Sequence, residues 1–294
     1  MKKIGIVLGG GGAKGSFQIG VLDGIMKYIE RNNYELVSVS GSSIGAFNGA
    51  FVASGQFETL KNYWLHWDLD DNPFTQTWFL GIALSFILRG YAYNPKPLSG
   101  FLKDNLDIRS LKMSDVAYIN NRVRYSDGEM LLGGTNSKAA KPNITDDDIV
   151  SEIMASAAAI PFMTTTQVYG EHCVDGGCRD TIPVKSMIES TATTLDHVFV
   201  VGCFPYNRVK FSNVDNTPGS LFEKIKFVFD SILWDEISRN DIELGKLKHW
   251  NPETYTVICP EASVVDIDVP EFDNIKIRKN IQHGRDVWNK LGLV

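Results

Sequence analysis

The chain lacks any basic run, any apolar stretch long enough to span a bilayer, and any cysteine spacing typical of zinc sites. Its 35 acidic residues outnumber its 29 basic ones, which gives a formal net charge of −6. Nucleic acid is not an expected partner, because no segment concentrates the positive charge that phosphates require. The longest apolar run covers residues 78–88, well short of the roughly 20 residues of a transmembrane helix.

The cysteines and the N-terminal residues bear on cellular location. The cysteines are predicted to be reduced thiols rather than metal ligands or disulfides: Cys173, Cys178, Cys203 and Cys259. The apolar residues 4–9 are broken too soon by glycine to form the core of a signal peptide, and no small-residue cleavage site follows. They predict a buried first strand, in a cytoplasmic protein whose contact with membranes is peripheral at most.

Strand-like and helical patterns alternate along the chain, and no linker, repeat or low-complexity tract divides it. This alternation predicts an α/β fold in which a mostly parallel central sheet is covered by helices on both faces. We expect residues 1–294 to form a single domain. In such sheets ligands bind at the carboxyl ends of strands. Three glycine-bearing turns follow predicted strands, at residues 10–15, 41–45 and 175–177.

Gly41, Ser43 and Gly45 have the G-x-S-x-G spacing of a nucleophile elbow. A predicted strand over residues 36–40 precedes them and a predicted helix follows, as that motif requires. Such a turn projects the serine hydroxyl away from the backbone, and the helix N-terminus stabilises negative charge beside it. The alternative is an ordinary loop rich in serine and glycine. The strand before and the helix after favour a nucleophile.

The loop of residues 10–15 has G-x-G-x-x-G spacing after the first strand, which is also the spacing of a dinucleotide-binding fingerprint. That alternative requires an acidic residue at the end of the second strand, where this chain has Ser40 and Gly41. Nor is Lys14 followed by the hydroxyl residue of a Walker A loop. Consecutive glycines do present backbone N–H groups to one space, as an oxyanion hole requires.

A serine nucleophile needs a base, and the histidines are poorly placed for that role. None of the five occupies a clear late strand-to-helix loop: His66, His172, His197, His249 and His283. Asp175 ends a predicted strand just before Gly176 and Gly177, whose small size lets a carboxylate approach Ser43. An aspartate within hydrogen-bond reach of the serine can act as its general base. The alternative is a plain turn aspartate.

Together these three motifs resemble those of the patatin-like phospholipases, which are lipid acyl hydrolases with a Ser–Asp dyad. Residues 155–162 are similar to a fourth block of that family, a small-residue helix that ends in proline. The resembling core covers residues 4–55 and 145–205. The resemblance implies a three-layer α/β fold and hydrolysis of acyl esters in phospholipids or related lipids. It also implies that no metal or other cofactor is needed, and that the protein meets a lipid or membrane surface transiently.

The resemblance further implies a role for each motif residue. Ser43 would attack the ester carbonyl and Asp175 would accept its proton. The backbone N–H groups of three residues would hold the tetrahedral oxyanion: Gly10, Gly11 and Gly12. Supporting positions in the motifs are Lys14, Gly15, Gly41, Gly45, Gly176 and Gly177. Lys14 either faces an anionic head group or is solvated at the start of the helix, and we favour the solvated alternative.

The aromatic-rich segment of residues 57–106 carries no motif. It is compatible with a lid or acyl-chain groove at a membrane interface and with a buried helix, because periodicity does not separate the two. A helix predicted over residues 221–237 is expected to pack into the core. Two other functions stay open. One is a carboxylesterase or thioesterase that acts on soluble esters with the same dyad, and the other is a nucleotide-binding module that uses residues 10–15. The sequence does not predict the oligomeric state.

Overall fold

The computed structural model describes residues 1–66, 95–160, 162–205, 237, 241–242, 253–261 and 274–293. The aromatic-rich segment falls partly outside these ranges, and the helix predicted over residues 221–237 lies almost wholly outside them. The described residues form the strands β1 Lys3–Leu8, β2 Glu35–Gly41, β3 Ala117–Arg124, β4 Met130–Thr135, β5 Thr166–Val168, β6 Glu171–Asp175, β7 His197–Val201 and β8 Tyr255–Ile258. They also form the helices α1 Ser16–Arg31, α2 Ile44–Ala53, α3 Phe57–Leu65, α4 Lys96–Asn105, α5 Ile108–Met113, α6 Asp146–Ser156, α7 Val184–Ser190 and α8 Asn274–Lys290.

The strands form one mixed sheet in the order β5-β6-β3-β2-β1-β7-β8, and β4 also pairs with β3. The pairs β1–β2, β1–β7, β2–β3 and β7–β8 are parallel. The pairs β3–β4, β3–β6 and β5–β6 are antiparallel. The predicted α/β class with a mostly parallel central sheet is confirmed. The antiparallel pairs lie together on the side of β3.

β6 runs antiparallel to its neighbour β3. β2 ends at Gly41, which pairs with Asn120, whereas β3 continues beyond that point to Arg124. β6 pairs with this overhang and places Asp175 opposite Arg122. Asp175 therefore ends its own strand beside the carboxyl ends of the parallel strands, although β6 itself runs antiparallel to β3.

Apolar layers cover both faces of the sheet. On one face, α1 and α2 share an apolar cluster with strand side chains, and this cluster includes the buried aromatic residues Phe17, Phe47 and Phe199. On the other face, Met187 of α7 packs with Val7 of β1. Burial of apolar surface on this scale is the main force that holds helices to a sheet. No helix among the described residues combines the length and the apolar composition needed to cross a membrane.

α8 packs closely against α1 at a glycine contact. A Cβ atom on Gly20 or on Gly284 would lie 2.0 or 2.2 Å from a carbonyl oxygen of the opposite helix, so only glycine permits this approach. The contact brings the Asn280 side chain of α8 to the end of the glycine-rich loop and the start of α1. Asn280 Nδ2 donates to the Lys14 carbonyl at 3.2 Å and to Ser16 Oγ at 2.9 Å.

α6 begins at a capping box, which fixes where its far end lies. Thr145 Oγ1 accepts the N–H of Asp148, and the Asp148 carboxylate accepts the N–H of Thr145. This reciprocal pair satisfies two N–H groups that a helix start leaves without intrahelical partners. The helix then runs to Ser156, the residue that contacts the turn between β2 and α2.

Candidate active site

The turn between β2 and α2 holds Ser43 in a strained backbone conformation. Ser43 has φ 54° and ψ −125°, a region that side-chain-bearing residues rarely occupy. Glycines make the sharp turn possible, because a Cβ on Gly41 would lie 2.2 Å from the Gly45 carbonyl oxygen. A Cβ on Gly45 would lie 2.1 Å from the Leu8 carbonyl oxygen of β1. β2, this sharp turn and α2 follow one another in the order that the sequence predicted.

Hydrogen bonds from three elements hold this turn. The N–H of Ser42 donates to the Leu8 carbonyl at 3.2 Å, and the N–H of Gly45 donates to the Ser42 carbonyl at 2.8 Å. The N–H of Ser43 donates to Ser156 Oγ at 3.0 Å. Sequence reasoning noted the small-residue block around Ser156 but missed this contact. The signal was a hydroxyl residue within a run of alanines.

The turn places Ser43 beside Asp175. Ser43 Oγ donates to Asp175 Oδ2 at 2.6 Å across 132 positions of sequence. The N–H of Gly177 donates to the other carboxylate oxygen at 2.7 Å, and this bond fixes the carboxylate's orientation. The next position requires glycine, because a Cβ on Gly176 would lie only 2.0 Å from Asn121 Oδ1. The structure thus brings together the two side chains that the sequence singled out.

Burial controls the ionisation of Asp175. The residue is only 2% exposed, and burial raises the pKa of its carboxyl group from 3.8 to about 7, against the opposing effect of its bonds to Ser43 and Gly177. Low dielectric disfavours the charged form, whereas hydrogen bonds to the carboxylate favour it. A carboxyl group with a pKa near neutrality exchanges protons readily at physiological pH.

The described histidines take no part in this arrangement. His66 and His172 are exposed and bond to neighbouring groups: Asn62, Thr165 and Gln167. His197 bonds to Thr256 Oγ1 at 2.9 Å, and His283 Nε2 accepts the N–H of Glu261 at 3.0 Å. His249 lies outside the described residues. None of the four described histidines is hydrogen-bonded to Ser43 or Asp175.

The glycine-rich loop lies against Ser43. A Cβ on Gly10 would be 3.2 Å from Ser43 Cβ, and one on Gly11 would be 2.4 Å from Cys203 Cβ. The N–H of Gly10 donates to the Thr181 carbonyl at 2.9 Å and is thus already engaged. Within the described part of the chain, no acceptor is found for the N–H groups of Gly11 and Gly12.

Lys14 corrects one expectation. The favoured alternative placed it in solvent, but the residue is only 8% exposed. Its ammonium group lies 4.9 Å from the centroid of the Phe204 ring, an arrangement in which the ring face attracts the cation. Phe204 follows β7, so this neighbour is brought in by the sheet. The solvated alternative was wrong because burial here depends on a contact that is distant in sequence.

A buried ion pair next to the site was not predicted. Arg122 Nη1 lies 3.6 Å from Glu152 Oε1, and both side chains are almost fully enclosed. The Glu152 carboxylate also accepts the N–H of Gly134 at 2.8 Å and the Tyr169 hydroxyl at 3.0 Å. These contacts tie α6 to β3 and β4, one helical turn before Ser156. The contacting residues come from β3, β4, α6 and the turn after β5, so the ion pair leaves no periodic signal in the sequence.

Other site features concern metals and thiols. The described residues contain no cluster of three or more histidine, cysteine, aspartate or glutamate side chains arranged to hold a metal ion. All four cysteines are free thiols, as predicted: Cys173, Cys178, Cys203 and Cys259. Burial, and secondly the Asp175 charge, raise the pKa of the Cys178 thiol to about 12, so this thiol stays protonated at neutral pH.

Comparison with known proteins identifies the family. Residues 6–188 match the family model described as patatin-like phospholipase. The chain belongs to the patatin-like phospholipase family. Lysophospholipase nte1 of Aspergillus terreus (strain NIH 2624 / FGSC A1156) is 46% identical over 52 residues, which are 18% of this chain and 3% of that protein.

A solved structure supports the fold. VipD from Legionella pneumophila superposes with a TM-score of 0.50 at 11% identity, over 99% of this chain and 66% of that chain. At this identity the likeness concerns the fold alone. This chain therefore spans less than two thirds of the length of lysophospholipase nte1 and of VipD.

Proposed function

We propose that the protein hydrolyses fatty-acyl esters of phospholipids or related lipids through a Ser43–Asp175 dyad. The observation that carries the proposal is the 2.6 Å hydrogen bond from Ser43 Oγ to Asp175 Oδ2. It joins a hydroxyl on a strained strand–turn–helix elbow to a buried carboxylate, which is the geometry of a nucleophile and its general base. Membership of the patatin-like phospholipase family supports lipid esters as the substrate class.

Acylation begins when Ser43 Oγ attacks the ester carbonyl. A bond forms between Oγ and the carbonyl carbon, the hydroxyl proton moves to Asp175, and the carbonyl electron pair moves onto oxygen. Collapse of this tetrahedral intermediate expels the alcohol, which takes the proton from Asp175. Water then repeats the sequence at the acyl-enzyme, with Asp175 as base, and releases the fatty acid. A base with a pKa of about 7 suits both directions of proton transfer at neutral pH.

The glycine-rich loop supplies the hydrogen-bond donors for the oxyanion of the tetrahedral intermediate. The N–H groups of Gly11 and Gly12 are the donors we assign, because the N–H of Gly10 is engaged by the Thr181 carbonyl. The positive end of the α2 dipole adds to the stabilisation. Each oxyanion donor contributes about 2.7–4 kcal/mol to transition states of this kind, so two donors are a main part of the catalytic effect.

Two alternatives from the sequence are less well supported. A dinucleotide-binding loop needs an open phosphate site and an acidic residue at the end of the second strand, but Ser43 lies against the loop and β2 ends in Ser40 and Gly41. A carboxylesterase or thioesterase would use the same dyad on soluble esters, so only substrate choice separates it from a lipid hydrolase. Higher activity on long-chain esters in micelles than on short soluble esters is the expected result. Equal activity on both would favour the esterase and would also count against transient contact with a membrane surface.

Labelling with a fluorophosphonate tests the dyad directly. Mass spectrometry of the digested protein should find the label on the peptide that contains Ser43. Ser43→Ala should remove both label and ester hydrolysis, and Asp175→Asn should remove hydrolysis while the fold is retained. Ser54→Ala is the matched control, because Ser54 ends the helix that Ser43 begins. Label on another serine, or full activity in Ser43→Ala, would refute the assignment.

A further inference from the structure

Asp241 is a residue beyond the family match of residues 6–188 whose carboxylate reaches back to the site. Its Oδ2 atom accepts the N–H of Thr181 at 2.7 Å and the N–H of Ile182 at 3.3 Å. One oxygen thus holds two consecutive backbone N–H groups.

Thr181 connects the two loops of the proposed active site. Its carbonyl accepts the N–H of Gly10 at 2.9 Å, and its Oγ1 donates to the Gly177 carbonyl at 3.2 Å. Gly177 in turn donates its N–H to Asp175 Oδ1 at 2.7 Å. The glycine-rich loop and the base are therefore linked through a single residue.

The peptide unit between Thr181 and Ile182 lies in the middle of this chain of bonds. Its N–H, that of Ile182, points at Asp241, and its carbonyl, that of Thr181, accepts from Gly10. An acceptor on the N–H side fixes the peptide plane and polarises its carbonyl, which strengthens the bond on the other side. Asp241 therefore acts on Gly10 without touching it.

We propose that Asp241 is a positioning residue that holds the glycine-rich loop in register with Ser43. The inference rests on the proposed function, since it gives the loop the oxyanion role. Loss of the Asp241 acceptor frees the Thr181–Ile182 peptide to rotate, and the Gly10 N–H loses its aligned partner. The N–H groups of Gly11 and Gly12 then move away from the position that the oxyanion occupies. Displacements of this kind lower the rate of the chemical step more than they weaken substrate binding.

The choice of variants follows from the environment of Asp241. Burial, and then the neighbouring Asp180 carboxylate, raise its pKa, so a neutral amide is tolerated at this position. Asp241→Asn keeps an oxygen acceptor in the same place, whereas Asp241→Ala removes it. Asp196→Ala is the matched control, because Asp196 Oδ2 accepts the N–H of Lys3 at 2.8 Å at the opposite end of β1.

Steady-state hydrolysis of a short p-nitrophenyl ester gives kcat and KM for each full-length variant. Asp241→Ala should lower kcat by about 10- to 100-fold with KM changed by less than about twofold, as expected for a misplaced catalytic group. Asp241→Asn should recover most of the loss, and Asp196→Ala should leave kcat unchanged. If Asp241→Ala does not fold, Asp241→Ser replaces it, since its shorter side chain does not reach both N–H groups.

Inhibition supplies a readout that a purely structural role would not move. A trifluoromethyl ketone adds to Ser43 and places an oxyanion in the hole, whereas the matching methyl ketone does not. Asp241→Ala should weaken the fluorinated inhibitor in proportion to kcat/KM and leave the methyl ketone unaffected. Unchanged kcat in Asp241→Ala, equal losses in the Ala and Asn variants, or equal weakening of both ketones would each overturn the inference. Ester hydrolysis that survives in Ser43→Ala would instead refute the proposed function, and the two failures are therefore distinguishable.

Discussion

Replacement of Asp175 by asparagine should abolish hydrolysis and stabilise the protein at alkaline pH. The folded-state pKa of about 7 lies above the ordinary value of 3.8 because the carboxyl group is buried. The folded protein therefore binds this proton more tightly than the unfolded chain does. The stabilisation that the proton on Asp175 provides is complete below about pH 4 and is lost as the pH rises through about 7. The ionised carboxylate destabilises the fold above that range.

The size of the effect follows from the shift. A rise in pKa from 3.8 to about 7, at 1.36 kcal/mol for each unit, corresponds to about 4 kcal/mol at pH 9 and about 2 kcal/mol at pH 5. Asparagine is neutral throughout. Its Nδ2 can donate to Ser43 Oγ while its Oδ1 accepts the N–H of Gly177. The free energy of unfolding of Asp175→Asn should therefore exceed that of the wild type by an amount that grows between these two pH values.

Thermal unfolding at pH 5, 7 and 9 measures this difference. A gain of several degrees in Tm at pH 9, shrinking towards pH 5, is expected at roughly 2 °C per kcal/mol for a chain of this size. Ser43→Ala is the control, because it loses activity but keeps the buried carboxylate, so its stability should still fall with rising pH. A Tm difference for Asp175→Asn that is the same at pH 5 and pH 9 would show that burial does not penalise the ionised form.

Three further predictions concern activity and stability. The value of kcat/KM should rise with pH about a midpoint near 7, because Asp175 must be ionised to accept a proton, and a midpoint near 4 in the pH–rate profile would contradict this. Gly11→Ala should lower kcat by about 100-fold, because the new Cβ would lie 2.4 Å from Cys203 Cβ and would displace the loop. The control Gly100→Ala should leave kcat unchanged, because a Cβ there meets no atom within 4 Å. Arg122→Met should lower the free energy of unfolding by roughly 3 kcal/mol in urea titration, because it leaves a buried glutamate without its cation; a loss below about 1 kcal/mol would show that the ion pair contributes little.

The sequence was sufficient to predict that Ser43 and Asp175 lie close together. Ser43 and Asp175 stand at the ends of apolar segments beside glycines, and side chains at the carboxyl ends of strands converge at one edge of an α/β sheet. That β6 runs antiparallel to β3 could not be predicted, because periodicity shows which face a residue occupies but not the direction of a strand. Ser43 and Asp175 nevertheless meet, because the longer β3 lets β6 end at the same edge of the sheet.

The errors and omissions share one physical cause. The ring beside Lys14 belongs to Phe204, and the carbonyl that engages Gly10 belongs to Thr181. Each partner arrives through sheet register or loop closure over more than a hundred positions, so local composition does not reveal it. Charged residues in glycine-rich loops are usually solvated, which is why burial of this lysine depends on the tertiary contact.

The two unfavourable features of the site explain why so many glycines and backbone bonds surround it. Positive φ at Ser43 costs of order 1–3 kcal/mol, and a buried Asp175 adds the ionisation cost described above. Among the described residues no cation offsets this ionisation cost, because only burial and hydrogen bonds shift the pKa of Asp175. The strain is instead absorbed by close approach at Gly41 and Gly45, and the charge is held by the Gly177 N–H. A site built from backbone contacts is sensitive to shifts in the loops that supply them. Residues such as Asp241, which touch no reacting atom, can therefore govern its rate.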